Sequence, residues 1–278
     1  MLIPTAFNCG KEKMYNKFTF ARKFLHYYFT AANGKGHGIH SPFVYTFVRS
    51  VLNDSKNYYA YAEVEKVRRR MLKDNSVIEV QDLGAGSTVS KTNKRKIKEI
   101  ARAALKSTKY AQLLFRMVNF YQPERILELG TSLGITTAYL ASAMPSGKII
   151  TIEGSPAIAS KALRNFESLD LRNITLIGGN FNDALQPALQ ELSVVDLAFI
   201  DGNHRKAPTL EYFESILKHC RPGTILIFDD IHWSREMEEA WEAIKQHPAV
   251  TCTIDLFFIG LVFLRHEFQG PRHFTVRF

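Results

Sequence analysis

From about residue 111 onward, short continuous apolar runs alternate with longer segments whose apolar positions recur every three or four residues. The runs fall at 126–129, 149–152, 174–177, 194–200, 224–228, 250–254 and 261–264. Runs this short, rich in β-branched residues and without a polar face, predict strands buried on both sides. Helical spacing fills the intervals between the first five, notably 156–168, 184–192 and 208–219. That alternation predicts a parallel sheet sandwiched by helices. Only a few residues separate the last two runs, too few for a crossover helix, so they predict an antiparallel pair. The expected architecture is α/β, a seven-stranded, mostly parallel sheet closing in a C-terminal antiparallel hairpin.

Residues 1–110 follow another pattern. Segment 18–30 is aromatic and basic with helical spacing, 33–38 is a glycine-rich turn, and Ser41-Pro42 reads as an N-cap followed by proline at the first helical position. Segments 43–52 and 58–73 continue as amphipathic helices. The chain therefore divides into a helical extension, 1–110, expected to cap a cleft, and a sheet domain, 111–278. One sequence, Asp82-Leu-Gly-Ala-Gly-Ser87, looks like a nucleoside-binding turn after a short apolar run. It leads into a highly charged stretch, 91–102, which reads as a helix with no strand after it, so a plain turn or cleft loop is expected there.

The strongest local signal is Arg125-Ile-Leu-Glu-Leu-Gly-Thr-Ser-Leu-Gly134, a strand running into a tight glycine turn and a new helix. The next apolar run ends at Glu153, about where a ribose-binding carboxylate belongs in a Rossmann-like half-sheet. Gly130 permits the sharp turn, and Gly134 is expected to clear the approach of the helix to a ligand. No third glycine follows, and Glu128 would repel a pyrophosphate, so a dinucleotide is disfavoured. S-adenosylmethionine carries a sulfonium and an ammonium and no phosphate, which suits the acidic turn better.

These motifs resemble the class I S-adenosylmethionine-dependent methyltransferases, and among them the catechol and caffeoyl-CoA O-methyltransferase group. The likeness covers roughly residues 111–265. Ile126 to Gly134 resembles that family's first cofactor motif and Thr151-Ile-Glu153 its ribose-binding strand. Gly178-Gly-Asn-Phe-Asn182 falls at its adenine loop, and Val195-Asp-Leu-Ala-Phe-Ile-Asp201 at its fourth strand. The resemblance implies that Glu128, Gly130, Ser132, Gly134 and Glu153 hold the methionine and ribose parts of the cofactor. It also implies that Asn180 and Phe181 flank the adenine and that Asp201 lies beside the donor. Metal-dependent members carry one carboxylate after the fourth strand and an Asp-Asn pair after the fifth. Here those places hold Asp201 and Asp229-Asp230, which implies a site for Mg²⁺ or another divalent cation. The departure is Asp230 for asparagine. Where the group often has a basic lysine, this chain has His204, implied as the general base beside Asp201, with His232 a weaker candidate. His37 and His40 lie in a loop and read as structural.

Charge and cysteine content narrow the setting. The formal net charge is +9, yet residues 1–110 carry 21 Lys and Arg against 8 Asp and Glu, whereas 111–278 carry 15 against 19. The basic runs 66–73 and 91–98 read either as solvated helix faces or as a surface for an anionic partner. Three scattered cysteines, no leader-like start and no apolar run long enough to span a bilayer point to the cytoplasm. The expected enzyme methylates a small-molecule acceptor, with homodimer assembly left open. The alternatives are an RNA methyltransferase using the basic extension, or a non-catalytic protein that binds S-adenosylmethionine. No Asn/Asp-Pro-Pro-aromatic motif follows the fourth strand, which disfavours N-methylation of bases.

Overall fold

The computed structural model of the chain describes residues 14–37, 39–80, 93–265, 268 and 270–278. Segment 82–87, read above as a turn, lies outside the described residues. The N-terminal part contributes α1 (Lys17–Thr30), α2 (Pro42–Phe47) continuing into a π-helical turn (Val48–Leu52), α3 (Tyr59–Lys73), the two-stranded ribbon β1 (Val77–Glu79) and β2 (Lys94–Lys96), and α4 (Ile97–Ala104). As expected for an N-cap, the Ser41 hydroxyl accepts from the Val44 amide at the start of α2. The charged stretch 91–102 departs from expectation. Lys94–Lys96 pairs antiparallel with Val77–Glu79, and helix begins only at Ile97. The reason is amphipathicity: Ile97, Ile100 and Ala101 form the buried face of α4, whereas Lys94 and Lys96 before them are exposed.

The remaining elements are α5 (Thr108–Tyr121), β3 (Arg125–Leu129), α6 (Ile135–Ala143), β4 (Lys148–Glu153), α7 (Pro156–Ser168), β5 (Ile174–Gly178), α8 (Phe181–Leu192), β6 (Val195–Ile200), α9 (Lys206–Leu217), β7 (Cys220–Asp229), α10 (Arg235–Lys245), β8 (Cys252–Asp255), β9 (Ile259–Phe263) and β10 (Arg272–Thr275). The main sheet runs β10-β8-β9-β7-β6-β3-β4-β5. Strands β3 to β7 are parallel to their sheet neighbours among themselves, and β9 pairs antiparallel with both β7 and β8. The expected α/β class, parallel core and terminal hairpin are all present. The sheet has eight strands rather than seven, because β10 adds parallel to β8. That strand reads Arg-His-Phe-Thr and is largely exposed, so it lacks the continuous apolar run that marks an inner strand, and its charges protect an open edge.

Successive strand residues feed opposite faces. Ile126, Ile149 and Phe199 pack with α2, α3, α5 and α6, whereas Leu127, Ile150 and Ala198 pack with α8, α9 and α10. Val44, Phe47, Val64 and Met71 share one apolar cluster with Leu113 and Leu140. The helices before residue 111 thus build one face of the sheet, and α5 runs across position 110 without a break. Strand order reverses at β3, which has β4 on one side and β6 on the other, and a crevice opens there beyond the strand ends.

Candidate active site

A cleft of about 700 Å³ occupies that crevice. One side is lined by Gly130, Ser132, Glu153, Asn180 and Phe181, and the other by Lys106, Tyr110, Asp230, Trp233 and Phe258. Asp201 and His204 lie between. Three lining residues, Ser132, Asn203 and Asp230, hold positive φ of 48°, 64° and 53° without being glycine. Left-handed backbone at such residues is strained and clusters where a ligand site demands it.

The glycine turn forms as the sequence predicts, but its glycines answer to the fold. Gly130 (φ 101°) stands where a Cβ would lie 2.0 Å from the Asp201 carbonyl oxygen, so the ends of β3 and β6 meet backbone to backbone. Gly134 (φ 78°) would drive a Cβ to 2.5 Å from the Phe166 ring of α7. Its lack of a side chain serves helix packing, not the ligand approach expected above. Phe181 closes the cleft against Gly202, whose added Cβ would meet the ring at 2.5 Å, and it makes an edge contact with Tyr212 at 5.7 Å. Asn180 caps α8, accepting from the Asn182 amide.

Glu153 ends β4 with both oxygens positioned by backbone. Oε2 accepts from the Ser132 amide and Oε1 from the Ser155 amide, each at 2.9 Å. Burial pushes its carboxyl up, and the amides of Ser155, Ser132 and Gly154 pull it back. The Ser132 hydroxyl is buried beside it with no protein partner, a polar atom left for a ligand. Glu128 is placed differently. It is fully buried, accepts from the hydroxyls of Thr137 and Thr151, and does not line the cleft. Burial raises its carboxyl to about 7, against those two hydrogen bonds. Both hydroxyls bond Oε2, which braces β3 against β4 and α6, while Oε1 is buried with no protein partner.

The expected metal cluster holds a cation already. The Lys106 ammonium, from the link between α4 and α5, bonds to Asp229 Oδ2. Burial alone would pull that ammonium down, but the charges of Asp229, Asp201 and Asp230 outweigh it and hold it above its ordinary value. Asp201 is raised by burial and by Asp229; Asp229 is lowered because Lys106 overcomes its burial; Asp230 is pushed to about 7 by burial and Asp229. Among the described residues, no group of three or more His, Cys, Asp and Glu side chains forms a metal site. A divalent ion does not fit beside an ammonium in contact with the same carboxylate, so Asp201, Asp229 and Asp230 are not a metal triad in this structure. His204 Nε2 lies 3.5 Å from Asp201 Oδ1, and burial lowers its imidazole. His232 points elsewhere, between Glu238 and Asp255.

A family profile described as a methyltransferase domain matches residues 127–231. That stretch is similar to methyltransferase domains and spans β3 to the end of β7. A catechol O-methyltransferase of Niastella koreensis is 35% identical over 126 residues, covering 44% of this chain and 55% of that protein. One of Mycobacterium tuberculosis is 28% identical over 140 residues, covering 48% and 59%. The chain thus spans little more than half the length of these relatives. An SAH-bound methyltransferase of Podospora anserina shares the fold, with a TM-score of 0.56 at 13% identity over 91% of this chain and 97% of that one.

Around the cleft, sequence reasoning missed Lys106, Tyr110, Trp233 and Phe258. None sits in a motif; Lys106 is one lysine in a basic segment, and only the fold brings it to the strand ends. The basic run of α3 has also acquired structural work. Arg68 is buried, bonding Glu65 and the Lys106 carbonyl, and Arg70 bonds Asn165 and Ser168 of α7. Neither is a free contact for a polyanion, which weakens the nucleic-acid reading. No helix among the described residues is long and apolar enough to cross a membrane.

Proposed function

We propose that this chain is an S-adenosylmethionine-dependent O-methyltransferase acting on a small hydroxylated aromatic acceptor. The observation that carries the reading is Glu153, whose carboxylate is fixed at the tip of β4 by two backbone amides while still lining the cleft. A carboxylate so placed accepts from both hydroxyls of a ribose. The neighbouring Asn180 and Phe181 offer a flat, half-polar slot for adenine. The known names point the same way: the relatives of Niastella koreensis and Mycobacterium tuberculosis are catechol O-methyltransferases, and the Podospora anserina neighbour is SAH-bound.

The bound donor supplies a methyl group already activated on a sulfonium. The chain must then position, shield and deprotonate. Tyr110, Trp233 and Phe258 give the acceptor side an aromatic wall that excludes water and stacks a ring. His204 lines the same cleft and is neutral at pH 7, as a general base requires. Cys220 and Cys252 are not joined in a disulfide, which suits a reducing compartment such as the cytoplasm. Titration calorimetry with S-adenosylhomocysteine tests the reading. The wild-type chain should bind, and Glu153→Ala should bind about 10- to 100-fold more weakly, from loss of charge-assisted hydrogen bonds. A wild-type chain that gives no heat at millimolar ligand overturns it.

A further inference from the structure

We propose that Lys106 is a built-in cation standing where the resembling metal-dependent enzymes seat a divalent ion, and that its ammonium donates to the acceptor oxygen. The role toward the acceptor rests on the methyltransferase reading; the displacement of a metal does not. Three observations carry it. First, the ammonium is bonded to Asp229 at the end of β7, with the charges of Asp201 and Asp230 also acting on it. That is the set of carboxylates that would otherwise bind the metal. Second, the lysine is not a surface side chain that has folded inward: it is 13% exposed and lines the cleft. Third, its backbone is pinned. The Lys106 carbonyl accepts from Arg68 at 2.7 Å, Arg68 bonds Glu65 at 2.8 Å, and Glu65 also accepts from Thr108 and Tyr139. The peptide that presents the ammonium is therefore built into the joint between α3, α5 and α6.

An ammonium has three N–H donors, and the single bond to Asp229 leaves donors for a hydroxyl oxygen in the cleft. During transfer the acceptor oxygen forms a bond to the methyl carbon as the carbon–sulfur bond breaks, its electron pair staying on sulfur. The hydroxyl proton passes to His204, and Lys106 stays protonated, stabilising the negative charge that the oxygen carries from the loss of its proton until the bond to the methyl carbon forms. Lysine thus supplies by charge what a metal supplies by coordination.

The test is Mn²⁺ titration of the full chain, read by loss of the free-ion electron paramagnetic resonance signal. Parallel calorimetry with S-adenosylhomocysteine reports separately on the fold and on the methyltransferase reading. Wild type should leave the signal of free Mn²⁺ unchanged. Lys106→Met and Lys106→Gln keep the stem and remove the charge. Each should gain a Mn²⁺ site bound at least about tenfold more tightly than any on wild type, since an opposing charge at contact distance is gone. Mn²⁺ binding to wild type that is lost in Asp201→Ala overturns the proposal. So does the absence of any gain in both lysine variants when they still bind S-adenosylhomocysteine. Failure of wild type to bind S-adenosylhomocysteine counts against the methyltransferase reading alone and leaves the Mn²⁺ comparison decisive for the cation.

Discussion

At position 134 a single hydrogen in place of a methyl group decides whether α6 and α7 can both pack on the sheet. An alanine there must adopt φ 78° and place its Cβ 2.5 Å from the Phe166 ring, with Ala162 at 3.2 Å. Left-handed strain and overpacking together should cost about 2–4 kcal/mol. Gly134→Ala is therefore expected to lower the urea midpoint, and adding Phe166→Leu should recover part of the loss by removing the ring edge. A midpoint equal to wild type would show that the turn relaxes freely. The same turn shows what one residue reveals in a sequence. The positions of Gly130, Gly134 and Glu153 were legible because a strand, a turn and a helix impose fixed spacing on neighbours in the chain. The reason for Gly134 was not legible, since Phe166 lies 32 residues away in sequence. The bracing of Glu128 was not legible either: Thr137 and Thr151 hold one of its oxygens, and nothing in the sequence signals that these two hydroxyls converge on it. Lys106 carried no signal at all, because only the fold brings it to Asp229.

Among the elements, α3 does more than cover the sheet. Its Arg68 holds the link between α4 and α5 through the Lys106 carbonyl, and its Arg70 reaches Asn165, whose amide in turn donates to the Leu133 carbonyl of the glycine turn. One helix from the N-terminal part thereby supports both sides of the cleft. Arg68→Met should leave Glu65 with two neutral donors, Thr108 and Tyr139, and without its only ion-pair partner among the described residues. Stranding a largely buried carboxylate costs about 3 kcal/mol, so the variant should unfold at clearly lower urea, and Arg68→Met with Glu65→Gln should recover most of the loss. Recovery that fails would place the cost in packing of the arginine stem. Element type was readable where a hydrophobic period was long, as in α1, α3, α7 and the inner strands. It failed at β2 and β10, three and four residues long and mostly exposed, where neighbours and not pattern select the strand conformation.

Across the whole molecule, the first helix and the far edge of the sheet are joined by charge. His232, just beyond β7, donates to Glu238 of α10 at 3.0 Å and to Asp255 of β8 at 2.8 Å, and its ring stacks on Phe257. Glu238 also receives Lys23 of α1 and the Tyr15 hydroxyl. Burial would depress the imidazole, but the two carboxylates prevail and raise it to about 9. Glu238 is lowered to about 2 by His232, Tyr15 and Lys23 against its own burial. The raised histidine stabilises the fold fully below the unfolded value of about 6.5, progressively less above it, and not at all once pH passes the folded value. The lowered glutamate contributes above about 4.5 and loses its contribution as pH falls toward the folded value. This cluster alone therefore gives a stability plateau between about pH 4.5 and 6.5, with a decline on the alkaline side through about 9. The histidine's share is on the order of 2–3 kcal/mol, and it reports on how firmly α1 is held. Urea unfolding measured from pH 6 to pH 9.5 should show wild type losing about that amount. His232→Gln should start lower and stay flat over the same interval. An alkaline decline of equal size in both proteins would assign the pH dependence to other groups and detach α1 from this cluster.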